Sequence, residues 1–133
     1  MDNQPFRSGQ SWDTKFARAF HGVAAGIHGQ NSFVVHFLCA ALVIGAAIAF
    51  QVSQVEWCLL LLCITIVFSA ELFNSALEAL ARAIDENYNA HLAKGLDIAS
   101  GAVLWAAGGA VAVGLIIFGN RTLGLLVGLS FSP

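Results

Sequence analysis

Three long stretches of the chain carry no charged side chain, and they constrain the fold more than any other feature. No Asp, Glu, Lys or Arg occurs in residues 19–55, 57–70 or 98–120. Apolar runs of about 18 residues or more are long enough to cross a bilayer as helices. Only 11% of the residues are charged, whereas a soluble domain has about 25%. The pattern therefore predicts one integral membrane domain over residues 1–133, without a separate soluble domain.

The hydrophobic pattern predicts an all-α membrane protein with one surface helix and three transmembrane helices. Trp12, Phe16 and Val23 recur at helical spacing, which predicts an amphipathic helix over about residues 11–28 that lies on the membrane. A short helix that faces solvent is the alternative for this segment. The three spans are predicted at about residues 33–50, 55–84 and 98–118.

The connections between the spans are polar. Residues 51–54 predict a tight turn, and residues 85–97 predict a hydrophilic connection with Asn87, Asn89 and Gly95 as turn formers. Residues 119–121 are predicted to end the third span. The apolar stretch 123–133 is too short to span, and it is predicted to rest on the membrane.

Positive residues predict the orientation in the membrane. Arg7, Lys15 and Arg18 precede the first span, and Arg82 and Lys94 flank the second connection. Cytoplasmic loops are enriched in Lys and Arg. We therefore expect the N-terminus and the second connection on the cytoplasmic side. The chain has no basic patch large enough for nucleic acid.

The second span ends in a row of polar side chains. Steps of three and four residues place Glu71, Asn74 or Ser75, and Glu78 on one helix face. Glu71 lies about 24 Å along the helix from the start of the span, toward the cytoplasmic surface. A carboxylate inside a membrane costs roughly 2.5–3.5 kcal/mol on insertion scales, so such a residue indicates a functional site. Two acids and an amide on one face could hold a divalent cation or act as an acid/base pair.

The cysteines and His36 are weaker indicators of a functional site. Cys39, Cys58 and Cys63 lie in apolar runs without metal-binding spacing, which favours packing thiols. His36 stands near the start of the first span, where a packed histidine bonded to a neighbour is favoured over a ligand.

The polar row belongs to a longer string that resembles a known signature. Residues 71–79 read E-L-F-N-S-A-L-E-A, which resembles the E-x-x-N-[ST]-A-x-E-A signature of the prokaryotic diacylglycerol kinase and undecaprenol kinase family. Residues 87–89 (N-Y-N) and 94–104 (K-G-L-D-I-A-S-G-A-V-L) resemble the loop and the third-span motif of that family. Residues 16–22 (F-A-R-A-F-H-G) resemble the opening of its surface helix.

This resemblance implies a fold and a reaction. Members are homotrimers in the bacterial cytoplasmic membrane, with active sites between protomers. They take part in phospholipid metabolism by transferring the γ-phosphate of ATP to the hydroxyl of a lipid alcohol with the help of Mg²⁺. The lipid would be diacylglycerol or undecaprenol, between which the shared motifs do not choose.

The resemblance also assigns roles to residues. Glu71 would be the general base toward the lipid hydroxyl, and Asn74 would orient that base or the phosphate. Glu78 would bind Mg²⁺ and the nucleotide, with Gln30 as a second ligand, and Ser100 would lie near the lipid headgroup. For Arg18, lipid phosphates are an alternative to nucleotide phosphates. The further nucleotide contacts would come from polar residues of the surface helix and the second connection: Arg18, Asn87, Tyr88, Asn89, Lys94 and Asp97.

The chain departs from the family pattern at three positions around the implied site. Gln30 stands where many members have a metal-binding glutamate, Arg82 replaces an aspartate, and Leu96 replaces a lysine. Arg82 follows Glu78 by four residues, so the two can form an ion pair that competes with Mg²⁺. A member that binds lipid or a membrane partner without kinase activity is therefore the alternative function.

Overall fold

Four helices make up the part of the chain that the computed structural model describes, which is residues 11–28, 30–85 and 87–130. Three of them, α2 to α4, are long and apolar enough to cross a membrane. The protein is therefore all-α with three candidate spans, as the sequence predicts. The helices are α1 (Trp12–Ile27), α2 (Asn31–Ala49), α3 (Gln54–Ile84) and α4 (Ala90–Ser130).

The chain divides into two units, Met1–Gln30 and Asn31–Pro133. In the first unit, Ser11 caps α1 because its hydroxyl accepts the N–H of Thr14. The apolar face of α1 is exposed, since 72% of Trp12 and 61% of Phe16 are accessible. That exposure suits a helix that rests on a membrane, which stays a prediction for α1.

The second unit is built around α3, which packs against both α2 and α4. The turn from α2 to α3 requires a positive φ of 49° at Gln51. Ser53 then caps α3 in a capping box, in which its hydroxyl accepts the N–H of Glu56 and the Glu56 carboxylate accepts the N–H of Ser53. A small buried cluster fixes α2, the turn and α4 around α3 at this end: Ala47, Val52, Leu60 and Ile117.

The last helix is much longer than its predicted span. It begins at Ala90 rather than near residue 98, because the Asn89 side chain caps it by accepting the N–H groups of His91 and Leu92. Gly95 is therefore helical and not a turn former; a glycine inside a helix costs only about 1 kcal/mol. Asn87 and Asn89 do lie in the non-helical connection, where the Asp85 carboxylate accepts the N–H of Asn87.

The helix also continues through residues 119–121, where the third span is predicted to end, and α4 runs to Ser130. The polar side chains at this point are satisfied without breaking the helix. Thr122 donates its hydroxyl hydrogen to the carbonyl of Phe118, and Arg121 pairs with Glu56. The apolar stretch from residue 123 therefore prolongs α4, while residues 131–133 of the predicted surface tail lie outside the described residues.

The ion pair between Glu56 and Arg121 ties the first turn of α3 to α4. The Arg121 guanidinium donates to the Glu56 carboxylate through both Nε and Nη2. The Nε–Oε1 distance is 3.3 Å. One Glu56 oxygen also accepts the Ser53 N–H at 2.6 Å. One carboxylate thus serves both the helix cap and the bond between helices.

We expect the two roles of Glu56 to be separable by mutation. Glu56→Gln should lower the thermal midpoint of unfolding in detergent because the charged pair is lost, although an amide oxygen can still complete the capping box. Glu56→Ala should lower it further, because the cap is lost as well. In an Arg121→Gln background, Glu56→Gln should have little added effect. Equal midpoints for the wild-type protein and Glu56→Gln would show that the pair contributes nothing to stability.

Candidate functional site

The inner face of α3 carries the polar row that the sequence singles out. Glu71, Asn74 and Ser75 are 4%, 8% and 5% exposed, so all three are buried in the helix bundle. Glu78, one turn further on, is half-buried. Burying such groups is costly unless they are hydrogen-bonded or held for a function.

Glu71 contacts a residue from another helix. Its Oε1 atom lies 3.0 Å from Nε2 of His36 on α2, and the two side chains are 5% and 19% exposed. The His36 ring stands edge-on to Phe68, with ring centroids 6.4 Å apart. His36 is therefore the packed histidine bonded to a neighbour that its sequence position favours, and the neighbour is Glu71.

Asn74 joins Glu78 to α4. Its Nδ2 atom donates to Oε1 of Glu78 at 3.1 Å, and its Oδ1 atom accepts the Ser100 hydroxyl at 3.4 Å. The predicted pair between Arg82 and Glu78 is also present, with Nη1 3.9 Å from Oε2. The structure thus brings Asn74, Glu78 and Ser100 together, and the bonds of Asn74 run to Glu78 rather than to Glu71.

Ser75 belongs to the row, as the helical spacing allows, but the environment of its side chain is unexpected. Its hydroxyl is buried and has no hydrogen-bond partner among the described residues. Native proteins rarely leave a buried polar atom unsatisfied. The hydroxyl is therefore available to a group that enters the site, and its place beside Asn74 in the signature string was the sequence signal for it.

The predicted nucleotide residues fall into two groups. Asn87 donates its backbone N–H to the Asp85 carboxylate, which lowers the pKa of Asp85 below its ordinary value. Most side chains of the second connection and the start of α4 are exposed and reachable from solvent: Asn87, Tyr88, Lys94 and Asp97. Arg18 and Gln30 belong to the first unit, and their roles stay predictions.

A cavity of about 520 Å³ runs between α2, α3 and α4. Its walls are mostly apolar, with Val43, Ile64 and Val111 as examples from the three helices. His36, the partner of Glu71, also lines it. The hydrogen bond between His36 and Glu71 thus joins the polar row to the wall of an apolar cavity of the kind that suits hydrocarbon.

The comparison with protein families identifies the family of this chain. The model of the family described as prokaryotic diacylglycerol kinase matches residues 17–118. The chain belongs to that family. It is also 29% identical over 103 residues to the undecaprenol kinase of Bacillus subtilis (strain 168), an alignment that covers 77% of this chain and 84% of the relative.

The family match covers the polar row and the residues that are predicted to surround it. The matched segment includes every site residue that the sequence predicts, from Arg18 to Ser100. The sequence reasoning gave little weight to His36 and missed the unsatisfied hydroxyl of Ser75. The sequence contains no clear signal for this contact, because His36 lies 13 residues before the end of α2 whereas Glu71 lies 17 residues after the start of α3.

The donor set around Glu78 is compatible with Mg²⁺. Among the described residues, no three His, Cys, Asp or Glu side chains come close enough to form a metal site. Mg²⁺, however, is usually held by one or two carboxylates together with substrate phosphates and water. The Glu78 side chain is 29% exposed, so its carboxylate can be reached from the second connection. A nucleotide-dependent Mg²⁺ site therefore fits, with Arg82 as a nearby competitor.

Proposed function

We propose that the protein transfers the γ-phosphate of ATP to the hydroxyl of a membrane lipid alcohol, either diacylglycerol or undecaprenol. The observation that carries this proposal is the family match over residues 17–118, which contains the buried row on α3. The similarity to an undecaprenol kinase supports an isoprenoid alcohol as one of the two substrates to test.

The chemistry of the row suits phosphoryl transfer. The lipid oxygen forms a bond to the γ-phosphorus, the bond from that phosphorus to the β,γ-bridging oxygen breaks, and ADP leaves. The hydroxyl proton passes to the Glu71 carboxylate, which later returns it to solvent. Such reactions depend on positioning and on neutralising charge. Glu71 is a buried base, and its partner His36 lines the apolar cavity, from which a lipid would approach.

Glu78 would bind Mg²⁺ together with the nucleotide phosphates, and the amide oxygen of Gln30 would be a second ligand. A bound Mg²⁺ neutralises charge on the phosphates and on the departing ADP. Asn74 fixes the orientation of Glu78 and links it to Ser100. We therefore expect Ser100 to lie near the lipid headgroup.

The distribution of positive residues supports a cytoplasmic active site. With the N-terminus and residues 85–89 in the cytoplasm, Glu78 and the exposed residues of the second connection would face the compartment that holds ATP. The membrane would be the bacterial cytoplasmic membrane.

The direct test is a transfer assay on the purified protein in mixed micelles. Radiolabelled ATP and Mg²⁺ would be supplied with diacylglycerol, with undecaprenol, or with no lipid. We expect label to appear in one of the two lipid phosphates and to depend on Mg²⁺. If neither lipid is labelled while ATP and Mg²⁺ are present in excess, the protein is the non-kinase member that Gln30 and Arg82 would explain.

The exposed small residues of α4 offer a face on which another protomer of the proposed homotrimer would pack. A Cβ atom built on Gly101 or Gly108 would meet no atom of the chain within 4 Å. The two glycines are seven residues apart and therefore share a helix face. Small residues allow close approach of membrane helices.

We expect Gly108→Leu to weaken the trimer without unfolding the protomer, because the added side chain meets nothing within its own chain. Crosslinking in mild detergent would report the oligomer, and circular dichroism would report the helices. Ala47→Leu is the contrasting variant: Ala47 is fully buried inside the chain, so that change should disturb the protomer itself. A wild-type protein that crosslinks only as a monomer would contradict the trimer.

A further inference from the structure

We propose that His36 is a positioning residue that holds Glu71 in the orientation of a catalytic base. This inference rests on the proposed kinase activity. Its starting point is the 3.0 Å contact between His36 Nε2 and Glu71 Oε1, which joins α2 to α3 inside the bundle. Among the described residues, His36 is the hydrogen-bond partner of the Glu71 side chain, since Asn74 bonds to Glu78 and Ser100.

The chemistry of the base fixes where the shared proton must be. A single hydrogen bond between an imidazole and a carboxyl group contains one proton. Glu71 can accept the proton of a lipid hydroxyl only if it is a carboxylate beforehand. The shared proton therefore resides on Nε2 of His36, which donates to Oε1 and leaves Oε2 for the substrate.

The hydrogen bond from His36 also fixes the orientation of the Glu71 side chain. A glutamate side chain has three rotatable bonds, and a buried carboxylate without a donor is costly. Phe68 packs edge-on against the His36 ring, so the donor itself is held in place. Without the bond, the Glu71 carboxylate would turn toward other donors or toward water. A displacement of about 1 Å in a catalytic group can reduce a rate by about 10²-fold.

The test compares glutamine and asparagine at position 36, two amide side chains that differ in length. The Nε2 atom of glutamine can take the place of histidine Nε2, whereas the amide of asparagine is too short to reach Glu71. We expect His36→Gln to retain most of the kcat. His36→Asn should lower kcat by about 10²-fold with little change in KM for ATP, because His36 acts through Glu71 and touches no nucleotide. The matched control is His91→Asn, the same change at an exposed histidine of α4.

A double variant separates positioning from a purely structural role. If His36 works through Glu71, adding His36→Asn to Glu71→Gln should lower the residual rate no further. Equal amounts of folded oligomer from each variant would show that the losses are not failures of assembly. Equal kcat values for His36→Asn and His36→Gln, or additive losses in the double variant, would overturn the proposal.

A spectroscopic measurement tests the hydrogen bond without relying on turnover. In protein labelled with ¹⁵N-histidine, the His36 ring should show a proton on Nε2, and Glu71→Ala should shift that resonance while the His91 resonance stays in place. A His36 ring without a proton on Nε2 would overturn the proposal even in an active enzyme. A wild-type protein that labels neither lipid would instead overturn the kinase function, and the positioning role with it.

Discussion

Glu71→Gln should abolish lipid phosphorylation while leaving the fold and the oligomer intact. Glutamine has the same shape as glutamate, and its amide oxygen can still accept the hydrogen bond from His36. The change therefore removes the basicity of residue 71 and little else. Loss of a general base reduces rates on the order of 10²–10⁴-fold. Initial rates of label transfer at saturating ATP and lipid would measure the effect.

The control for this variant is Glu56→Gln, the same substitution on the same helix at the opposite end. Glu56 pairs with Arg121 and lies outside the proposed site. Below its unfolding temperature, Glu56→Gln should therefore phosphorylate lipid at the wild-type rate. Turnover close to wild type in Glu71→Gln would exclude Glu71 from the chemistry and leave its burial as a purely structural property.

Much of the architecture follows from charge and periodicity alone. A bilayer admits few charges, so the three charge-free stretches identify the three long helices. Within α3, steps of three and four residues predict that Glu71 shares a face with Asn74 or Ser75 and with Glu78. Glu71, Asn74 and Ser75 are all buried. The ion pair between Glu78 and Arg82 follows from the same spacing. These are relations within a single helix, where the period fixes which side chains are neighbours.

Relations between helices are harder to predict. The contact between His36 and Glu71 depends on how far α2 slides along α3, which the helical period does not specify. Glu56 and Arg121 are likewise far apart in sequence and meet because α4 runs back past the turn between α2 and α3. The length of α4 was underestimated for a related reason. Gly95 and Arg121 look like interruptions until the Asn89 cap and the Glu56 partner are known.

The last prediction concerns the magnesium dependence of the reaction. Glu78→Gln should lower the rate at saturating Mg²⁺ by about 10²–10³-fold, because charge that develops on the phosphates would lose much of its stabilisation. It should also raise the Mg²⁺ concentration at half-maximal rate. A Mg²⁺ titration at fixed ATP would measure both quantities. An unchanged titration would remove Glu78 from the metal site.

Substitutions of Arg82 should shift the Mg²⁺ titration in the direction opposite to that expected for Glu78→Gln. Its guanidinium lies 3.9 Å from the Glu78 carboxylate, where a positive charge opposes the binding of a cation. Arg82→Gln should therefore lower the half-maximal Mg²⁺ concentration, and Arg82→Asp should lower it further, because it also adds a negative charge. Gln30→Glu should reinforce either change if residue 30 contributes a ligand. If the Arg82 variants leave the Mg²⁺ dependence unmoved, the guanidinium acts at the membrane surface, where positive residues accumulate on the cytoplasmic side.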